Sequence, residues 1–262
     1  MGDNVYFISD AHLGSGADSR ERERQLCRWL DAVKADCGEL FLLGDMFDFW
    51  FTYRYVVPRG HVRLLGKLAE MSDAGVRVHF FIGNHDMWMF DYLEKECGVA
   101  MHDEPEVFCF GGKRFLVGHG DGLGHLDRQF DMLRKVFRSR LNQRLFAMLP
   151  PSWTFPIANR WSDNNKEKHA REDCLHYMGD EREGIVLYCK ERLKAERIDY
   201  CVFGHRHTPL TRMIGDGCTY VNTGDWLLNR NYAVFTPSSG EMRLGDAAAE
   251  GLAEPGPGAD GR

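Results

Sequence analysis

The sequence predicts a layered α/β fold, with either one mixed sheet or two packed sheets. Two observations carry this. Short β-branched and aromatic runs recur along the chain, each ending in a Gly-rich turn, and the early ones alternate with helical patterns before the later ones crowd together. A third observation is that nearly every run ends in a polar cluster, which is where open α/β sheets place their sites.

The runs, in order, are "NVYFISD", "ELFLLGD", "VRVHFFIGN", "KRFLVGHG", "DYCVFGH", "CTYVNTG" and "NYAVFTP". Helices are predicted between the first three, over 20–37 and 60–74. Residues 126–149 read as a third helix, with Leu126, Phe130, Leu133, Phe137, Leu141, Leu145 and Met148 recurring every three or four positions. "LPPSWTFP" then breaks the pattern at Pro150 and Pro151 before a further helical stretch. The tail "DAAAEGLAEPGPGADGR" is rich in Ala, Gly and Pro and is expected to be disordered over 246–262. The chain thus divides into one domain over 1–245, a helical insertion at about 123–184 within it, and the tail.

With 262 residues, 44% of them apolar, the chain has enough material for a full core, which excludes a disordered protein. Its eight cysteines are scattered through apolar runs with no C-x-x-C, so reduced and mostly buried thiols in a cytosolic protein are expected. The N-terminus runs straight into a strand without a signal-peptide pattern, and Tyr6 stands where a myristoylation signal needs Ser or Thr. No apolar run reaches the roughly 18 residues of a membrane span. The net charge of -6 hides an asymmetry. Residues 128–171 carry ten Lys/Arg and only three acids, a basic block that points to an anionic partner.

The polar clusters "SDAH", "GDMFD", "GNHD", "GHGD" and "GHRH" hold the chemistry. Asp10 and His12 are two apart at a strand end, so alternation points both side chains the same way, and His205 and His207 repeat the spacing. Asp45, Asn84 and His119 add three donors from three more strand ends. Mixed carboxylate, amide and imidazole ligands suit Mn(II), Fe(II) or Zn(II). A structural zinc site is disfavoured because none of these clusters contains a cysteine.

These five blocks resemble those of the calcineurin-like metallophosphoesterases, over residues 8 to about 225. The resemblance implies an α-β-β-α sandwich and two divalent metal ions, Mn(II) foremost. One ion would sit on Asp10, His12 and His207, the other on Asn84, His119 and His205, with Asp45 bridging. Two such ions about 3.5–4 Å apart leave a small net positive charge facing a phosphoryl group and hold a hydroxide for in-line attack on phosphorus. His85 is the candidate for protonating the leaving oxygen or stabilising the transition state, and Asp48 and Asp86 for orienting the ligands.

The insertion narrows the resemblance. "HGDGLGHLD", the basic amphipathic segment, "LFAMLPPSW" and "IANRWSDNNKEK" are similar to UDP-2,3-diacylglucosamine diphosphatases of the lipid A pathway, in which a helical lid binds the glucosamine phosphate. By position, Asp127 would contact the sugar, and Arg160, Asn164, Asn165 and Lys166 the phosphate or sugar. Phe146, Leu149, Trp153 and Phe155 would line acyl-chain grooves. The implied partners are an anionic glycolipid nucleotide and the cytoplasmic face of the inner membrane, with neither nucleic acid nor an obligate protein partner expected. The chain departs from that subgroup at His85, where those enzymes typically carry arginine. Two other readings stay open at this point: hydrolysis of another phosphodiester, nucleotide or nucleic acid, and a non-catalytic membrane-binding scaffold.

Overall fold

The computed structural model describes residues 2–125, 128–158, 177–215 and 217–254. Side-chain alternation along the strands sorts the apolar residues into three layers of core. Strand β1 (Asn4–Ile8) turns Tyr6 and Ile8 toward a layer of helices and Val5 and Phe7 toward a second sheet. Strand β2 (Cys37–Leu42) does the same with Leu40 and Leu42 on one side and Phe41 on the other. With β3 (Arg77–Phe81) these strands run parallel, and β10 (Asn231–Thr236) joins β1 antiparallel.

Helices α1 (Ser19–Val33), α2 (Val62–Asp73) and α3 (Tyr92–Cys97) cover the outer face of this sheet. The buried face of α1 is Leu26, Trp29, Leu30 and Val33, the spacing of a single helical stripe. Its Glu23 reaches across to α2, where one carboxylate oxygen accepts the Arg63 and Leu64 amides at 3.0 and 3.2 Å. A carboxylate there satisfies the unpaired amides of the helix start and complements its dipole.

The second sheet contains β6 (Lys113–Gly118), β7 (Tyr200–Phe203) and β9 (Thr219–Thr223), mutually parallel. Phe115, Val117, Val202 and Val221 meet Phe7, Phe41 and Phe235 of the first sheet in an apolar interior. On the outer face, Leu116, Cys201 and Phe203 pack against Ile185, Val186 and Cys189 of α7 (Gly184–Leu193). The order helix, sheet, sheet, helix is the layered sandwich predicted.

All seven predicted strands form, and the structure adds four: β4 (Ala100–His102), β5 (Glu106–Phe110), β8 (Pro209–Met213) and β11 (Glu241–Asp246). The sheet orders are β11-β10-β1-β2-β3-β4 and β5-β6-β7-β9-β8, so all four are edges. The predicted helix over 126–149 is two helices, α4 (Arg128–Arg138) and α5 (Arg140–Ala147). Ser139 between them is extended, and side chains take the freed carbonyls: Asn142 Nδ2 donates to Val136 O at 2.8 Å and Trp88 Nε1 to Phe137 O at 2.9 Å. After the Pro150 break, residues 151–158 are helical again (α6).

The tail also differs from expectation. Ala247 is fully buried, Leu252 and Ala253 pack on the helix-side core, and their amides return to Ala247 O. A turn closed by its own hydrogen bonds lets even an Ala/Gly-rich segment dock where two apolar side chains find the core. Residues 255–262 lie outside the described residues.

Candidate metal centre

The parallel strands of both sheets point their C-terminal ends at one rim, and the chemistry collects there. Asp10 and His12 follow β1, Asp45 follows β2, Asn84 and His85 follow β3, His119 follows β6, and His205 and His207 follow β7. Asp10, His12, Asp45, His205 and His207 all have positive φ, between 42° and 68°. Left-handed backbone at non-glycine residues costs about 1–3 kcal/mol each and persists only where surrounding structure enforces it. Here the enforcement is a hydrogen-bond lattice between loops. Asp10 N donates to Gly44 O at 3.1 Å, His12 N to Asp45 O at 2.9 Å, and His205 N to Asp10 Oδ2 at 2.9 Å.

The structure brings the seven predicted ligands together. His207 Nε2 is 3.4 Å from Asp10 Oδ1, and His12 Nε2 is 4.0 Å from both Asp10 Oδ1 and Asp45 Oδ2. On the other side, His119 Nε2 is 3.5 Å from Asp45 Oδ2 and 3.4 Å from Asn84 Oδ1, and His205 completes that cluster. Asp45 therefore faces donors on both sides.

The second nitrogen of each imidazole shows how it is held. His119 Nδ1 lies 2.6 Å from Leu43 O, so that nitrogen donates to the carbonyl and Nε2 is the one turned to the centre. His207 Nδ1 faces Asp225 Oδ2 at 3.4 Å, and His12 Nδ1 faces Asp48 Oδ1 at 3.4 Å. An oxygen behind a histidine is the usual support of a metal ligand.

Burial and mutual charge polarise the group. Burial pushes His12 down to about 3 and His205 well below the usual imidazole range, and it pushes Asp10 up. His119, despite burial, is raised to about 10 by Asp45, and His207, despite burial, to about 9 by Asp10 and Asp225. Burial would raise Asp45 too, but His119 and His85 hold it well below the carboxylate range. The extra proton that His119 and His207 favour stands where a positive ion would act and must leave when a metal binds.

Whether a metal fits is decided by unpaired atoms. Asp10 Oδ1 and His12 Nε2, which face the centre, are buried without a hydrogen-bond partner. Buried polar atoms are otherwise nearly always paired, and two orphans 4.0 Å apart, one oxygen and one nitrogen, match divalent-ion coordination.

A scan against protein-family models matches the calcineurin-like phosphoesterase family over residues 4–209. The chain belongs to that family. A UDP-2,3-diacylglucosamine hydrolase of Porphyromonas gingivalis is 38% identical over 248 residues, covering 90% of this chain and 95% of the relative. Proteins of the same name from Photorhabdus laumondii and Shewanella baltica are 30% and 28% identical, over 79% and 84% of this chain and 83% and 88% of their own.

Around this phosphoesterase core the predicted supporting residues take defined places. His85 donates its amide to Asp45 Oδ1 at 2.8 Å, its Nδ1 lies 3.0 Å from Asp48 O, and its ring meets His12 edge-on at 4.7 Å. Asp86 braces two loops, accepting the Gly83 amide on one oxygen and the Met46 amide on the other, both at 2.9 Å. Asp225 was missed by sequence reasoning. A single acid after "NTG" carries no spacing signal, although it follows strand β9 as the other acids follow theirs. Asp127, Arg160, Asn164, Asn165 and Lys166 lie outside the described residues.

The insertion sits on an aromatic ledge. Phe146 packs against Trp88 and Phe51 at 4.7 and 4.9 Å, and Phe155 against Phe49 at 5.3 Å. The Tyr53 and Thr154 hydroxyls are 2.6 Å apart. Of the basic block, Arg134 pairs with Asp121 at 3.1 Å and Arg138 with Glu104 at 2.6 Å, so part of its charge is used internally. Leu149 and Trp153 stand out at 46% and 66% exposure, alongside Leu141, Leu145, Met148 and Ile157.

Proposed function

We propose that this phosphoesterase hydrolyses the diphosphate of UDP-2,3-diacylglucosamine, giving UMP and 2,3-diacylglucosamine 1-phosphate. The observation that carries this reading is the 38% identity extending over 90% of the chain to a relative of that name. Asp10, His12 and His207 would hold one divalent ion, Asn84, His119 and His205 the other, and Asp45 both, with Mn(II) the ion these ligands suit first. Two such ions supply Lewis acidity opposite the phosphoryl oxygens and a water acidic enough to attack at neutral pH.

The chain's own residues do the rest. Asp10 and Asp45 balance half of the added charge, so an anionic phosphoryl group is still attracted. His85, fixed by its amide and Nδ1 contacts, stands beside His12 to deliver a proton to the departing oxygen. Asp127, Arg160, Asn164, Asn165 and Lys166 are proposed to bind the sugar and its phosphate.

The exposed apolar residues of α5 and α6, with Arg140 and Arg144 beside them, form an amphipathic surface suited to the anionic cytoplasmic face of the inner membrane, which supplies the substrate. No helix among the described residues is long and apolar enough to cross a membrane. The test is hydrolysis of UDP-2,3-diacylglucosamine against a small chromogenic phosphodiester by the full chain with Mn(II). Release of UMP and the lipid monophosphate supports the reading; cleavage of the small diester alone overturns the substrate and leaves the phosphoesterase.

A further inference from the structure

Arg22 is the most unusual charged residue outside the ligand set. It lies on α1 with its side chain 1% exposed, yet among the described residues its only carboxylate partner is Asp18, itself half exposed. The rest of the guanidinium is spent on backbone. Nε donates to Ala11 O at 2.8 Å, and Nη2 to His12 O at 3.0 Å and Ser15 O at 2.7 Å. These three carbonyls belong to the loop that carries Asp10 and His12, at φ 54° and 42°.

A second buried arginine reaches the same backbone through a neighbouring loop. Arg230 is 2% exposed and donates from Nη1 to Trp226 O at 2.6 Å and Leu227 O at 3.0 Å. The amides of those same two residues donate to Asp10 O at 3.2 and 3.1 Å. The backbone around Asp10 is thus gripped by one guanidinium directly and by the other through the loop that follows Asp225.

We infer that Arg22, assisted by Arg230, is a positioning residue for the Asp10/His12/His207 half of the metal centre. A buried guanidinium is costly unless its donors are met, and here backbone carbonyls of the ligand loop meet them, so the arginine keeps its place only while that loop keeps its shape. The planar fork matters: three donors reach three carbonyls in fixed directions, which an ammonium on a flexible stem does not reproduce. Neither arginine bonds to His119, Asn84 or His205, and His205 meets the gripped loop only through its amide to Asp10 Oδ2, so the effect falls mainly on one side.

The inference rests on the two-ion reading of the site. Its test is a Mn(II) titration of the metal-depleted full chain, counting free ion by its six-line EPR signal. Wild type is expected to bind two ions. In Arg22→Met one ion should bind about tenfold or more weakly, the range seen when supports behind metal ligands are removed, with the other affected clearly less. Arg22→Lys should recover part of the loss, and Asp18→Ala, which frees only Nη1, should show a smaller loss in the same ion.

A folded Arg22→Met, by far-UV circular dichroism and gel filtration, that binds both ions as wild type does and merely melts earlier would overturn the inference. If Arg22→Met does not fold, wild-type affinity in both Arg22→Lys and Asp18→Ala overturns it equally. Wild type binding no Mn(II) overturns the two-ion reading and takes the clamp with it.

Discussion

Replacing Gly83 with alanine puts a methyl group where the two loops that carry Asp45 and Asn84 touch. The new Cβ would lie 2.2 Å from Asp45 Oδ1 and 2.5 Å from Asp45 N. Contacts shorter than 3.0 Å are essentially never seen, so the carboxylate must retreat by about 0.8 Å. The backbone nitrogen is a second obstacle, which a side-chain rotation alone does not clear. Moving Asp45 strains the His85 amide bond to its Oδ1 and shifts the one carboxylate that faces ligands on both sides. A displacement of about 1 Å at a reacting centre costs on the order of 100-fold in rate, and overpacking costs about 1–3 kcal/mol in stability. The assay is Mn(II)-dependent cleavage of a small phosphodiester, with thermal melts of the same preparations. Gly83→Ala should keep the fold and lose about 100-fold in rate. Activity within a factor of two of wild type would refute the placement of Asp45 at the reacting centre.

Gly66 is the matching control, because it lies inside α2 with nothing within 4 Å of an added Cβ; Gly66→Ala should raise stability by about 0.5–1 kcal/mol in urea unfolding at unchanged activity. Asp225→Asn keeps the acceptor for the Leu228 and Asn229 amides but removes the charge behind His207, and should weaken Mn(II) binding about 10- to 100-fold in calorimetry; unchanged affinity would show that Asp225 does not support a ligand. The double variant Met148→Glu with Trp153→Glu should abolish sedimentation with anionic vesicles while leaving small-diester cleavage intact, and undiminished sedimentation would place the membrane-facing surface elsewhere.

The clustering of the candidate ligands was legible because each donor sits at the end of a run of β-branched and aromatic residues, and the ends of the parallel strands meet at one rim. The edge strands were not legible for the same physical reason. β5, β8 and β11 have only one strand neighbour and leave several side chains exposed, so their sequences lack the continuous apolar signal of "ELFLL" or "YCVF". The break at Ser139 was hidden because apolar periodicity continues across it, and the interruption is sustained by Trp88, Asn142 and Gln143 side chains that no local pattern reveals. Arg22 and Asp225 were invisible in a different way. An arginine in "SRERERQL" reads as a solvated helix face, and only the fold shows that this one is buried against the ligand loop.

The most direct test of the central claim is to add Mn(II) stepwise to the metal-depleted chain while following UMP release from UDP-2,3-diacylglucosamine. The two-ion reading predicts no release without metal, little after one equivalent, and full activity only as the second binds. Full activity in the metal-depleted chain, or at a single equivalent, would contradict it.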